Sequence, residues 1–389
     1  MQLPFLRQHF IQDQDRKDGY CGYQPGSNKT CYRISEEYGD VMRTERVLFV
    51  VDTHTGGEPT RIVLGGFPPV NCGSMIERLE HIKENLDWIR TCVLFEPRGN
   101  MDSFGAIVLP TIDINKKTKF SLIFMNTMGY MYMCGHATIG IAKALAELGY
   151  IQMEEPETEI LFETVAGIVN VRLLVKNSII EKISVIEPPS FFVKNVSIEL
   201  REVGEISVDI AFGGNFFAIV DAKSLGIIVE MKNLRKLIEF GLRIRDEVNR
   251  IEKISHPENP YINGVDLAMI YEKTGSEKLR YREVTIFGNG EFDRSPCGTG
   301  TAARMACLHA NGEMDIGDML LHESLIGTVF EGSILSPARV GSYRAVIPEI
   351  YGNAYVTAIS HVIIEPEDPL KYGFSTRVVS GSAFLWINS

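Results

Sequence analysis

The 389-residue chain lacks several features that would assign it to a large protein class. Its seven cysteines include no C-x-x-C pair, and no histidine or cysteine cluster has zinc-ligand spacing, so a structural metal is not expected. An odd count at irregular spacing in a long chain also argues against a disulfide framework. No apolar run approaches the roughly 20 residues that a membrane-crossing helix needs. The opening "MQLPFLRQHFIQDQDRKDGY" has no apolar core of the secretory-signal kind. Basic clusters are missing too: 39 basic against 50 acidic residues leave a net charge of −11, and nothing offers an electrostatic footprint for nucleic acid or an anionic membrane. The expectation is a cytoplasmic protein with neither nucleic acid nor membrane as partner.

What is present is an ordinary globular composition, 45% hydrophobic and 23% charged, in a chain long enough for two cored domains. The chain also repeats itself. "CGHATIGIAKALAELG" begins at Cys134 and "CGTGTAARMACLHANG" at Cys297, and each runs 15 residues from cysteine to glycine (149 − 134 and 312 − 297). "TGGEPTRIV" (55–63) precedes the first cysteine and "FGGNFFAIV" (212–220) the second. "FETVAGIV" (162–169) follows the first and "HESLIGTV" (322–329) the second. The same three segments in the same order, with the cysteines 163 residues apart (297 − 134), read as a duplicated domain rather than a solenoid.

Short runs rich in Val, Ile, Leu and Phe, such as "RVLFVVDT", "TCVLFE", "GAIVLPT", "FSLIFMN" and "IVNVRLLV", alternate with Gly, Pro, Asn and Asp, which is the strand signature. Helical periodicity is confined to "MIERLEHIKENLDWIRT", the run after each cysteine, and "MKNLRKLIEFGLRIRDEVNRI". The expected architecture is two strand-rich domains, each wrapping a helix that starts at its cysteine. Residues 1–41 read as an extension, with the fold beginning near Arg46. Residues 42–187 plus 365–389 form the first domain and 188–364 the second, the chain crossing at "IEPPSFF" where Pro188 and Pro189 break both patterns.

A helix opening with Cys-Gly-x-small-Thr exposes backbone N–H groups at the positive end of its dipole, which makes an anion site. The same field is expected to lower the thiol pKa and raise the thiolate fraction. Two such termini facing each other would hold a carboxylate between them with a thiol on either side of the adjacent carbon. That geometry suits inversion at an α-carbon, with one thiolate removing a proton and the opposing thiol supplying one. No cofactor is called for. A pyridoxal enzyme needs a Schiff-base lysine with partners for the ring nitrogen and phosphate, and no context nominates one.

"MCGHATIG", "DRSPCGTGT", "DTHTGGEPTRIV" and "EPRGNMDSFGA" resemble, in order from about Val47 to the C-terminus, the signature segments of the proline racemase family. The resemblance implies an α/β (α+β), diaminopimelate-epimerase-like fold of two pseudo-symmetric domains with the active site at their interface. It also implies a homodimer and cofactor-independent racemisation or epimerisation of proline or hydroxyproline. Carried over residue by residue, it makes Cys134 and Cys297 the catalytic thiols. Gly135, His136, Gly298 and Thr299 become donors to the substrate carboxylate, Asp293 the partner of the ring nitrogen, and Phe104 and Phe287 the walls around the ring. Asp52, His54, Glu58 and Arg98 stand in family-like motifs and are expected to support the site rather than act in it. Asn100 and Ser103 depart from the family pattern, where His and Met are frequent, and bear on substrate detail.

Cys297 argues against the family's dehydratase variant, in which the second cysteine is replaced. An apolar Phe104 and Phe287 wall favours proline as substrate, with 4-hydroxyproline 2-epimerisation as the alternative. A catalytically silent amino-acid-binding homologue would have no need of two opposed thiols.

Overall fold

The computed structural model describes residues 44–112, 117–276 and 279–375, with the backbone of short strand pairs beyond. The extension expected over 1–41 lies outside the described residues. The five α-helices among them are α1 (Met75–Asn85), α2 (Trp88–Leu94), α3 (Gly135–Glu147), α4 (Leu234–Ile251) and α5 (Gly298–Ala310).

The strands form two curved sets with matching order, called rings below: the second closes on itself, and the first is joined to it where Ile179–Ile186 pairs with Tyr343–Gly352. In the first, Ala354–Ile364 pairs with Arg46–Thr55, which pairs with Glu58–Gly65; Phe104–Pro110, Thr118–Asn126, Glu157–Thr164, Gly167–Lys176 and Ile179–Ile186 follow. In the second, Ser190–Leu200 leads through Gly204–Phe212, Phe216–Asp221, Leu267–Lys273, Arg280–Phe287, Met319–Glu323 and Val329–Val340 to Tyr343–Gly352, which closes back on Ser190–Leu200. Parallel pairings fall at the same two places in each ring: Glu58–Gly65 with Phe104–Pro110 and Phe216–Asp221 with Leu267–Lys273, then Thr118–Asn126 with Glu157–Thr164 and Arg280–Phe287 with Met319–Glu323. The three repeated motifs occupy equivalent turns, so the duplication inferred from the sequence is a duplication of topology.

Each ring wraps one helix. Both α3 and α5 are rich in Gly, Ala, Thr and aliphatic side chains and are buried on almost every side, as a largely apolar helix must be. α3 packs on Arg46–Thr55 and Ala354–Ile364, and α5 on Ser190–Leu200 and Tyr343–Gly352. The other helices lie outside the rings. In α4, Leu237, Phe240, Gly241, Ile244 and Val248 make one buried stripe, with Gly241 close against Ile286.

Three sequence expectations need correction. Strand Ala354–Ile364, assigned above to the second domain, pairs along its length with Arg46–Thr55 of the first. It covers an edge that would otherwise expose unpaired N–H and C=O groups, and the chain therefore returns to the first ring at Asn353. "TCVLFE", read as a strand, falls largely within helix α2. Ile89, Cys92 and Val93 follow the helical i, i+3, i+4 spacing and are buried against the outside of the first ring, and this tertiary contact overrides β propensity. The helix expected across 75–91 breaks at Leu86 and Asp87 into α1 and α2, with Ser74 capping the first by accepting from the Glu77 N–H at 3.2 Å.

Candidate active site

Cys134 and Cys297 are the N-cap residues of α3 and α5. The two helices meet head-on at the residue after each cysteine. A Cβ built on Gly135 would lie 2.9 Å from the Gly298 Cα, and one on Gly298 would lie 2.9 Å from the Gly135 Cα. Only glycine permits this approach, and it brings both sets of free helix N–H groups to one point.

The cysteines reach their positions by different backbone routes. Cys134 is extended (φ −149°, ψ 114°) and is separated by two residues from the end of strand Gly129–Met131. Cys297 sits at φ 52°, ψ 100°, a conformation costing about 1–3 kcal/mol for a non-glycine residue. A buried hydrogen-bonded loop holds it there. Asp293 Oδ1 accepts from the Ser295 N–H (2.8 Å) and hydroxyl (2.7 Å), the Cys297 N–H donates to Ser295 Oγ (3.3 Å), and Thr301 Oγ1 donates to the Pro296 carbonyl (3.0 Å).

All residues expected at the site line one cavity: Phe104, Cys134, Gly135, His136, Phe287, Asp293, Cys297, Gly298 and Thr299, together with Met131, Met133 and Leu267. Cys134 Sγ lies 3.3 Å from His136 Nδ1, and that nitrogen is 3.6 Å from Asp293 Oδ2. The Phe104 ring packs edge-on to His136 at 4.8 Å and to Phe287 at 6.4 Å between centroids. Asp293 therefore braces its own turn with one oxygen and faces the cavity with the other. Asn100 and Ser103 lie elsewhere, in an outer cleft shared with Arg61, Arg98 and Arg294.

The GG motifs prove to be interlocks between the rings. Glu58 and Asn215 occupy the same place in the two copies. Glu58 Oε2 accepts from the Arg294 N–H (2.6 Å) in the second cysteine turn, while Asn215 Nδ2 donates to the Met133 carbonyl (2.8 Å) in the first. The matched position was visible in the sequence, but its cross-domain reach was not.

Of the buried carboxylates around the thiols, Glu187 and Glu283 were not foreseen from the sequence, and together with Asp293 and Glu58 they reverse one expectation. The helix field was expected to lower both thiol pKa values. Instead, burial pushes Cys134 well above the ordinary thiol range, with Asp293, Glu187 and Glu58 adding to the rise, against the Ala137 N–H. Burial likewise raises Cys297, with Asp293 and Glu283 adding and the Gly300 N–H and Thr285 opposing. Loss of water outweighs the helix terminus. Glu58 and Glu283 are also held well above the usual carboxylate range, each by burial first and Asp293 second.

Glu187, at the crossing between the rings, has no hydrogen-bond partner at either carboxyl oxygen and is pushed up by burial alone to about 8. Because its folded pKa is above the unfolded one, its contribution to stability is complete below about 4.5 and is lost as pH rises through about 8. Glu187→Gln is therefore expected to gain stability relative to the parent across that window, and to track it outside. Urea denaturation at a series of pH values reads this difference; a pH-independent offset would contradict it.

Among the described residues, no three His, Cys, Asp or Glu side chains are grouped to hold a metal ion, and no helix is long and apolar enough to cross a membrane. The family model described as proline racemase matches residues 50–375. The chain belongs to the proline racemase family. It is an isomerase of the racemase or epimerase type. It is 43% identical over 336 residues to a proline racemase of Acetoanaerobium sticklandii, covering 86% of this chain and 100% of that one. With a 4-hydroxyproline 2-epimerase of Streptosporangium roseum it shares 36% identity over 334 residues, 86% and 99% of the two chains. The crystal structure of a hydroxyproline epimerase from Agrobacterium vitis with bound trans-4-hydroxy-L-proline superposes with a TM-score of 0.81 at 31% identity, covering 87% of this chain and 98% of that one.

Proposed function

We propose that this racemase-family protein inverts proline at Cα without a cofactor, through Cys134 and Cys297 acting as a thiolate base and thiol acid whose roles exchange with direction. The observation that carries this reading is the head-on meeting of two cysteine-capped helices at Gly135 and Gly298. Backbone donors of Gly135, His136, Gly298 and Thr299 would bind the substrate carboxylate, and Asp293 would receive the ring nitrogen. Phe104, Phe287, Met131, Met133 and Leu267 give the ring an apolar enclosure.

The raised thiols fit this scheme. Asp293 is the largest charge acting against both thiolates. A substrate ammonium docked on that carboxylate cancels the repulsion, so the thiolate becomes available when substrate is present to react with it. The coupled pair then titrates as a unit.

The apolar wall favours proline. A site built to bind a ring hydroxyl would be expected to present polar partners there. The second reading is 4-hydroxyproline 2-epimerisation, supported by likeness to a structure that holds trans-4-hydroxy-L-proline. L-proline and trans-4-hydroxy-L-proline incubated separately with the protein in D2O, followed by NMR and polarimetry, test both. Deuterium at Cα with inversion is the expected result, and the faster ring names the substrate. Absence of exchange with either would overturn the assignment.

A further inference from the structure

Gly135 and Gly298 line the catalytic cavity, where the turns they belong to present free helix N–H groups. The same two glycines also meet Glu187, which does not line that cavity. A Cβ on Gly135 would lie 2.6 Å from Glu187 Oε1, and one on Gly298 would lie 3.3 Å from it, so a single carboxyl oxygen rests across both helix ends. Neither glycine carries a side chain that could screen this carboxyl from the turns that would receive the substrate carboxylate.

Glu187 is 2% exposed, and neither of its carboxyl oxygens has a hydrogen-bond partner. An ionised carboxylate at this depth calls for a cation or several donors. The groups on the surrounding elements supply neither. The first cysteine turn brings Cys134 and His136, whose Nδ1 is turned to Cys134 Sγ at 3.3 Å and Asp293 Oδ2 at 3.6 Å. The second turn brings Asp293 and Cys297, and strand Glu58–Gly65 brings Glu58, which accepts from the Arg294 N–H. Strand Tyr343–Gly352, paired with Ile186, brings Glu349; that carboxylate accepts from the Ser184 and Tyr351 hydroxyls at 2.7 Å each and engages Arg172 at 3.6 Å. These neighbours are carboxyls, thiols or bases engaged elsewhere.

We infer that Glu187 controls the seat of the substrate carboxylate: the paired helix ends accept that anion while Glu187 carries its proton and reject it once Glu187 is ionised. The positive ends of α3 and α5 can compensate one negative charge at their junction, and a second like charge in the same buried place repels the first. Burial keeps Glu187 protonated up to about pH 8, so the seat is open to an anion at neutral pH and closes above that point. The coupling is reciprocal. A carboxylate bound at the helix ends raises the proton affinity of Glu187 by the same factor by which ionised Glu187 weakens its binding. Glu187 is thus a positioning residue that acts through the helix ends from outside the cavity. The inference rests on the carboxylate-binding part of the reading above.

The test compares the parent with Glu187→Gln and Glu187→Met. The dissociation constant of L-proline is read from the broadening of its ring-proton resonances at a series of pH values bracketing the Glu187 titration. In the parent it is expected to stay level below about pH 8 and then to rise by up to about tenfold for each pH unit, the slope of one linked proton. In both variants it stays level over the same range. Glu187→Met, similar in length and with nothing to titrate, keeps the test readable if a buried amide disturbs the fold. The second readout is proton uptake on mixing L-proline with weakly buffered protein about half a unit above the Glu187 value: the parent takes up protons and neither variant does. The same rise in all three proteins, a level constant in the parent, or equal proton uptake in the variants overturns the inference and leaves the two-thiol reading standing. Proline that binds with the expected pH dependence but never exchanges its Cα proton sinks the two-thiol reading and leaves Glu187 in its role. Proline that binds at no pH overturns both.

Discussion

Cys134→Ser and Cys297→Ser are each expected to lose inversion by 10²-fold to about 10⁴-fold or more while keeping the fold. Serine matches cysteine in shape, and neither thiol makes a structural hydrogen bond that a hydroxyl could not replace. A serine hydroxyl is, however, far too weak an acid to supply the base, and loss of a positioned acid or base costs roughly 10²–10⁴-fold. The double variant should be little worse than either single one, because groups acting as a unit lose their joint effect once. The stronger expectation concerns which exchange survives. With one thiol remaining, a proton can be taken and returned only on that face, so residual deuterium uptake is confined to one enantiomer of the substrate, and to the opposite enantiomer in the other variant. NMR of L- and D-substrate in D2O reads this directly. Equal residual uptake from both enantiomers in both variants would mean that the thiols do not stand on opposite faces of Cα.

The sequence carried the duplication because each motif has a partner in the same order, and the structure returns those pairs as equivalent turns of two rings. The site was legible for a related reason: both cysteine turns set a thiol and a glycine at the start of an apolar helical run, where no bulky side chain covers the free N–H groups. Ring closure was not legible. Nothing in "YGNAYVTAISHVII" marks Asn353 as the point where one long extended run leaves the second ring for the first; that division is set by the free edge of Arg46–Thr55.

The electrostatic character of the site was hidden for another reason. Glu187 belongs to a crossing segment and Glu283 to a strand in which "REVTIF" reads as a polar face alternating with an apolar one. Both carboxylates point inward. The signal that existed was periodic, since Glu283 and Thr285 share the face of Phe287, a residue already assigned to the pocket. An expectation built on the helix dipole alone therefore misjudged the thiols, because a field worth about 0.3–2 kcal/mol cannot offset removal of an ionised thiolate from water.

Gly135→Ala and Gly298→Ala test the geometric premise beneath all of this. At Gly135 a Cβ would stand 2.6 Å from Glu187 Oε1 and 2.9 Å from the Gly298 Cα; at Gly298 it would stand 2.9 Å from the Gly135 Cα and 3.3 Å from Glu187 Oε1. The carboxyl can swing aside in either variant by rotating a torsion, but the opposing Cα cannot. The helix ends must therefore part, at an overpacking cost of about 1–3 kcal/mol, which a protein of this size can survive folded. Catalysis is less forgiving, because displacing a reacting group by about 1 Å costs on the order of 10²-fold. Each variant is expected to lose at least that much kcat while remaining folded by circular dichroism. Gly65→Ala serves as the control, since a Cβ there meets nothing within 4 Å and the residue has no positive φ. Full activity in Gly298→Ala would mean that contact between the helix ends is incidental to the chemistry, and the substrate carboxylate would have to be sought at a site formed by one helix alone.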